Sequence, residues 1–117
     1  MNMEKESNLK FYAAGSVDEF LLQIGRVVEI NGQEIAVFPL SDGRIFAALN
    51  QSPHPKGGPL AEGILSGHYL YDPLYDWKID LTTGLVQAPD TGRASMCPVK
   101  VENGQVWIAL EQQLQTT

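Results

Sequence analysis

The sequence predicts an all-β domain, an antiparallel β-sandwich or barrel from which two Pro/Gly-rich loops project. Three observations carry that reading. Turn dipeptides recur at Asn31-Gly32, Asp42-Gly43, Thr83-Gly84, Thr91-Gly92 and Asn103-Gly104, the punctuation expected of hairpins. The segments beside them are short and contain several β-branched or aromatic residues. The chain has 117 residues, of which 44% are hydrophobic and 19% charged, the length and composition of one ordinary globular domain.

Taken in order, the first patterned segment is an exception. Val17, Phe20, Leu21 and Ile24 follow the i, i+3, i+4, i+7 spacing of a helix, with Ser16 as N-cap and Glu19 completing a capping box. The span is only about two turns, marginal for a helix, so the alternative is an irregular connection carrying the same apolar residues into the core. Strands are predicted over residues 25–30 and 33–40, joined at Asn31-Gly32, with Ile35 and Val37 on one face. A third strand over 44–49 follows the Asp42-Gly43 turn. Between 50 and 80, Pro53, Pro55, Gly57, Gly58, Pro59, Gly63, Gly67 and Pro73 break any regular element, so this stretch is expected to be built of loops, where sites usually sit on a β scaffold. A last hairpin is predicted from 98–102 and 105–110 around Asn103-Gly104. The segments 1–7 and 112–117 read as frayed termini. The expectation is one domain over 1–117 with its core at about 9–110.

Composition narrows function. The 8 Lys and Arg against 14 Asp and Glu leave a net charge of −6, which repels phosphate backbones, so no nucleic-acid partner is expected. The N-terminal segment is polar and no stretch approaches the roughly 20 apolar residues of a membrane span. A soluble, cytoplasmic protein without a membrane partner is therefore expected. Cys97 is the only cysteine, which excludes an intrachain disulfide and a thiolate zinc site built from this chain alone. Gly57-Gly58 lacks the Lys-Ser/Thr of a phosphate loop, and no G-x-G-x-x-G run opens a dinucleotide fold. Ser52, His54 and Asp72 supply the residue types of a hydrolase triad, but no G-x-S-x-G elbow surrounds the serine.

The two loops read Asn50-Gln51-Ser52-Pro53-His54-Pro55-Lys56-Gly57-Gly58-Pro59-Leu60-Ala61-Glu62-Gly63 and Tyr71-Asp72-Pro73-Leu74-Tyr75-Asp76-Trp77-Lys78-Ile79-Asp80-Leu81-Thr82-Thr83-Gly84. They resemble the loops of Rieske-type [2Fe–2S] domains, C-P-H-x-G-G-x-L and C-P-x-H-x-W-x-F/I-x-L-x-x-G. The chain is similar to the Rieske-like small subunit of assimilatory NAD(P)H-dependent nitrite reductases. The likeness runs over about 9–110 and is strongest at Gly57-Gly58-Pro59-Leu60, Asp76-Trp77-Lys78-Ile79-Asp80-Leu81 and Pro98-Val99-Lys100-Val101.

The resemblance assigns the four ligand positions of a Rieske centre to Ser52, His54, Asp72 and Tyr75, where the family has two cysteines and two histidines. Pro55 lengthens the first loop before Lys56. Serine and aspartate are hard oxygen donors in place of soft thiolates, so the [2Fe–2S] cluster is expected to be absent, with no cofactor, no metal and no catalytic residue in this chain. His54 with Asp72 is a minor alternative as a mononuclear metal site. Cys97 is read as packing, His68 as a turn residue and Trp77 as core. Tyr69, Tyr71 and Tyr75 are read as packing residues that could form an aromatic patch near the loop tip.

The implied function is that of an accessory subunit. Its partner would be a large nitrite reductase subunit holding siroheme, a [4Fe–4S] cluster and flavin, reducing nitrite to ammonium with electrons from NAD(P)H. The candidate partner interface is Lys56, Tyr75 and Asp76 within the stretches 52–56 and 72–76. One alternative is a Rieske-type [2Fe–2S] ferredoxin-like electron carrier with an atypical cluster, including that of an aromatic-ring dioxygenase system. Another is a homo-oligomeric binding module.

Overall fold

The computed structural model describes residues 9–111. Its strands are β1 (Leu9–Ser16), β2 (Arg26–Ile30), β3 (Gln33–Pro39), β4 (Ile45–Leu49), β5 (Ile64–Ser66), β6 (Tyr69–Tyr71), β7 (Lys78–Asp80), β8 (Leu85–Val86), β9 (Met96–Cys97), β10 (Val99–Glu102) and β11 (Gln105–Glu111). They form three antiparallel sheets in the orders β1-β11-β10, β2-β3-β4-β9 and β5-β6-β7-β8. The predicted termini 1–7 and 112–117 lie outside the described residues.

The β2-β3-β4-β9 sheet separates two cores. On one face Ile35, Val37 and Ala47 pack with Phe20, Ile30, Cys97, Val106, Ile108 and Leu110. On the other, Ala36, Phe38 and Ala48 pack with Leu60, Leu70, Ile79, Leu81, Val86 and Ala94. Successive residues of a strand point to opposite faces, so a strand covered on both sides must be apolar almost continuously. The run Ile35-Ala36-Val37-Phe38 satisfies this, and all four residues are fully buried.

Local chemistry fixes the hairpins. Asn31 and Gly32 have φ of 53° and 79°, and Asn103 and Gly104 have φ of 52° and 75°. Two successive positive φ values match the twist of paired strands, and Asn-Gly adopts them with little strain. The resulting registers pair Ile30 with Gln33 and Glu102 with Gln105.

Two expectations need correction. No helix forms after Ser16: the segment makes a single 3₁₀ turn at Val17–Glu19, whose first amides include Asp18 N–H donating to Ser16 Oγ at 3.3 Å. Phe20 enters the core and Val17 packs half-buried against it, whereas Leu21 and Ile24 are 66% and 55% exposed. The reason is tethering. Val17 N–H donates to Gly104 O at 2.8 Å and fixes the start of the segment. Gln23 N–H donates to Pro39 O at 2.6 Å and Glu19 O accepts from Arg26 Nη1 at 2.6 Å, so donor and acceptor of a helical bond are both spent elsewhere. Glu19 lies 3.9 Å from Arg26 instead of closing a capping box.

The stretch 50–80 is not all loop either. It contains β5, β6 and β7, three-residue strands held in register by Leu65↔Leu70 and Leu70↔Ile79 pairing. Leu70 and Ile79 are fully buried, so this sheet is closed over the second core. It carries the loops: the first runs from β4 to β5 and the second from β6 to β7. Among the described residues no helix is long and apolar enough to cross a membrane.

Candidate functional site

Each loop is anchored by its own first polar side chain. In the first, Asn50 Oδ1 accepts the Ala61 N–H at 2.8 Å and closes the neck. Ser52 Oγ accepts the His54 N–H at 3.1 Å, and His54 Nδ1 accepts the Lys56 N–H at 2.9 Å. A neutral imidazole bonded in this way carries its proton on Nε2. In the second loop, Asp72 Oδ2 accepts the Leu74 and Tyr75 amides at 2.9 and 2.6 Å. The Asp72 N–H donates to Trp77 O at 2.9 Å, so the loop starts and ends on one hydrogen-bonded pair. Short polar side chains that bind amides two or three residues ahead favour such turns.

The loops meet at Gly57 and Gly58. A Cβ on Gly57 would lie 2.6 Å from Asp72 Oδ1 and collide with the Ser52 hydroxyl; a Cβ on Gly58 would sit 3.1 Å from Pro73. Glycine is therefore what lets the backbone of the first loop reach the side chains of the second. Above this contact the His54 and Tyr75 rings stack, with centroids 3.8 Å apart and planes 6° apart. Trp77 meets His54 edge-on at 4.7 Å, and Gly92, from the segment after β8, lies beside Trp77 and Pro53.

The geometry thus brings Ser52, His54, Asp72 and Tyr75 together as two layers. The lower layer is polar and buried, with Ser52 9% and Asp72 2% exposed. The upper is aromatic and half-exposed, with Tyr75 at 45% and the adjacent Leu74 at 67%. Burial pushes the Asp72 carboxyl up, but the Ser52 hydroxyl, the Tyr75 and Leu74 amides and nearby His54 outweigh it and hold it below the usual carboxylate range. Asp72 Oδ1 is buried beside the Ser52 hydroxyl without reaching hydrogen-bond geometry, and no other group satisfies it.

These side chains do not fit a [2Fe–2S] cluster. The two positions assigned to thiolates carry a hydroxyl and a carboxylate; Asp72 Oδ2 is spent on two amides and His54 Nδ1 on a third. Tyr75 offers no imidazole and its ring lies flat on His54. The same bonds leave His54 and Asp72 poorly placed as a mononuclear pair. Among the described residues no group of three or more His, Cys, Asp and Glu side chains could hold a metal ion.

Other residues singled out in the sequence fall elsewhere. Cys97 belongs to the core on the far side of the middle sheet, where burial pushes its thiol up. His68 lies in the β5–β6 turn, 3.6 Å from Asp80. The three tyrosines do not form one patch: Tyr69 lies beside His68 and under Lys78, whereas Tyr75 stacks on His54. Lys56, Tyr75 and Asp76 are all exposed at the tips. Sequence reasoning missed Asn50 as the clamp at the loop neck and Gly57 as the spacer. Asparagine opening a Pro/Gly-rich loop is a signal for the first.

Three stacked antiparallel sheets with a pair of loops meeting beyond one end of the third define a Rieske-type domain. The family profile of the Rieske-like [2Fe-2S] domain matches residues 10–109, and the chain belongs to that family. It is 33% identical over 84 residues to the ferredoxin component of the naphthalene 1,2-dioxygenase system of Pseudomonas putida, covering 71% of this chain and 79% of the relative. It is 31% identical over 104 residues to the nitrite reductase [NAD(P)H] large subunit of Klebsiella oxytoca, which spans 84% of this chain but 11% of that protein. A solved structure described as an NADH-dependent nitrite reductase small subunit from Mycobacterium tuberculosis superposes with a TM-score of 0.78. That match has 21% identity and covers 87% of this chain and 96% of the other.

Proposed function

We propose that this chain is the accessory small subunit of an NAD(P)H-dependent assimilatory nitrite reductase, supporting the reduction of nitrite to ammonium by a large siroheme- and flavin-bearing subunit, and that it carries no cluster of its own. The observation behind this reading is the donor set at the loop tips. Ser52, His54, Asp72 and Tyr75 are engaged with one another and with backbone amides, and nothing in that set can accept and release an electron at ordinary biological potentials. A family member built this way acts by shape. The domain resemblance to part of a nitrite reductase large subunit supports that class of partner.

The docking face is the loop tip. Leu74 and Tyr75 supply exposed apolar and aromatic surface, the kind of side chain that anchors interfaces. Lys56 and Asp76 flank them. Such a face fits an apolar pocket on the large subunit rimmed by polar groups of both signs. Affinity purification of the tagged chain from its native cell tests this: a siroheme-containing large subunit is expected to co-purify, and Tyr75→Ala with Lys56→Glu to lose it while the domain stays folded.

The second reading is a ferredoxin-like carrier, favoured by the 33% identity to a dioxygenase ferredoxin component. Recovery of a ring-hydroxylating oxygenase with iron-loaded chain in the same experiment would establish that reading and overturn the first.

A further inference from the structure

We infer that the four ligand-equivalent residues form an iron-free clasp, which fixes the tips of both loops in one shape whatever the oxidation state of the surroundings. This deepens the reading above and rests only on its cluster-free part.

In a cluster-bearing domain of this architecture, metal bonds would tie the two loops together. Here each loop is braced by its own hydrogen bonds, and the two meet in a ring stack and a close glycine contact. Asp72 organises its own loop through the Leu74 and Tyr75 amides, and its other oxygen lies beside Ser52 and Gly57 of the first loop. The His54–Tyr75 stack, at 3.8 Å and nearly parallel, joins the tips across the gap. His54 is itself held by Lys56 N–H on Nδ1 and by the edge of Trp77. The polar layer is almost fully excluded from water, where hydrogen bonds to a charged acceptor are strongest. Ser52, His54 and Asp72 each bond amides of their own loop, so what holds one loop to the other is the His54–Tyr75 stack and the close fit of Gly57 against Ser52 and Asp72. A surface held rigid before binding spends less on ordering when a partner docks. Because no member of the clasp changes charge with a one-electron step, reduction or oxidation leaves the face unaltered.

Amide exchange on the isolated full chain tests this without any partner, so loss of the nitrite reductase reading would not affect the result. In the unaltered protein the Leu74, Tyr75 and Lys56 amides are expected to be protected, and equally so after dithionite, ferricyanide or a chelator. Asp72→Ala should speed exchange of the Leu74 and Tyr75 amides by about tenfold or more while Ile79 and Ile108 stay protected. Asp72→Asn, which keeps one acceptor oxygen, should restore part of the protection. Tyr75→Leu serves where Asp72→Ala does not fold, because Tyr75 is half-exposed. It should remove the ring-current shift of the His54 imidazole protons. Loop protection that collapses on chelation or reduction would overturn the clasp, as would His54 resonances unmoved by Tyr75→Leu.

Discussion

Placing a methyl group at Gly57 tests the loop contact directly. Gly57→Ala adds one Cβ where Asp72 Oδ1 would lie 2.6 Å away and Ser52 Oγ and Cβ closer still. Gly57 does not have a positive φ, so the backbone itself accepts alanine. Restricting the unfolded chain would then stabilise the protein by about 0.4–1 kcal/mol. Against this stands overpacking in a buried polar layer, which costs roughly 1–3 kcal/mol; because three atoms of two short, buried side chains are overrun, the upper part of that range applies. The net expectation is a loss of about 2 kcal/mol. With an unfolding entropy of about 2.1 cal/mol/K per residue, that lowers the Tm of a domain this size by roughly 8 °C. Thermal unfolding followed by circular dichroism reads it. Adding Ser52→Gly removes both Ser52 atoms from the collision, so the double variant should unfold above Gly57→Ala and the two changes should be non-additive. A Gly57→Ala protein as stable as its parent, or more stable, would refute the packing of the first loop onto Ser52 and Asp72.

Three further outcomes follow from the packing and charge. Leu70→Ala, in a fully buried residue of the core beneath the loops, should cost about 3 kcal/mol, read in urea as a lower midpoint at unchanged slope. The Asp72 carboxyl is held below its ordinary value despite burial, and Asp80 is lowered chiefly by its bond from the Thr82 hydroxyl. A folded pKa below the unfolded one gives stability that is fully present above about pH 4 and is lost as pH falls through the folded value, so Asp80→Asn should flatten the acid limb of a stability-against-pH curve. Cys97 is 9% exposed and burial raises its thiol, so a thiol reagent at mildly alkaline pH should label it slowly in the folded protein and rapidly in denaturant.

How much of this was legible in the sequence follows from the range of the forces involved. The Asn31-Gly32 and Asn103-Gly104 hairpins could be read because their backbone requirement is local to two residues. The β3 strand was found, but the alternation of Ile35 and Val37 revealed one face only; that Ala36 and Phe38 face a second core follows from a third sheet built of strands too short to show a period. The helical spacing at Val17, Phe20, Leu21 and Ile24 was misleading because backbone bonds to Gly104 and Pro39, distant in sequence, fix that segment. The loop motifs picked out Ser52, His54, Asp72 and Tyr75. They could not reveal that His54 lies on Tyr75, because the stack depends on how closely Gly57 lets the two loops approach.

On the proposed function, the Rieske scaffold of this chain would separate two properties that a cluster-bearing domain combines, the docking surface and the redox centre. The small chain would keep the first, and electron transfer would belong to the partner. Iron and acid-labile sulfide, measured on the full chain purified anaerobically from its native cell, test that claim most directly. The account predicts neither in stoichiometric amount and no visible absorption of an iron–sulfur centre; two irons and two sulfides per chain, with that absorption, would contradict it.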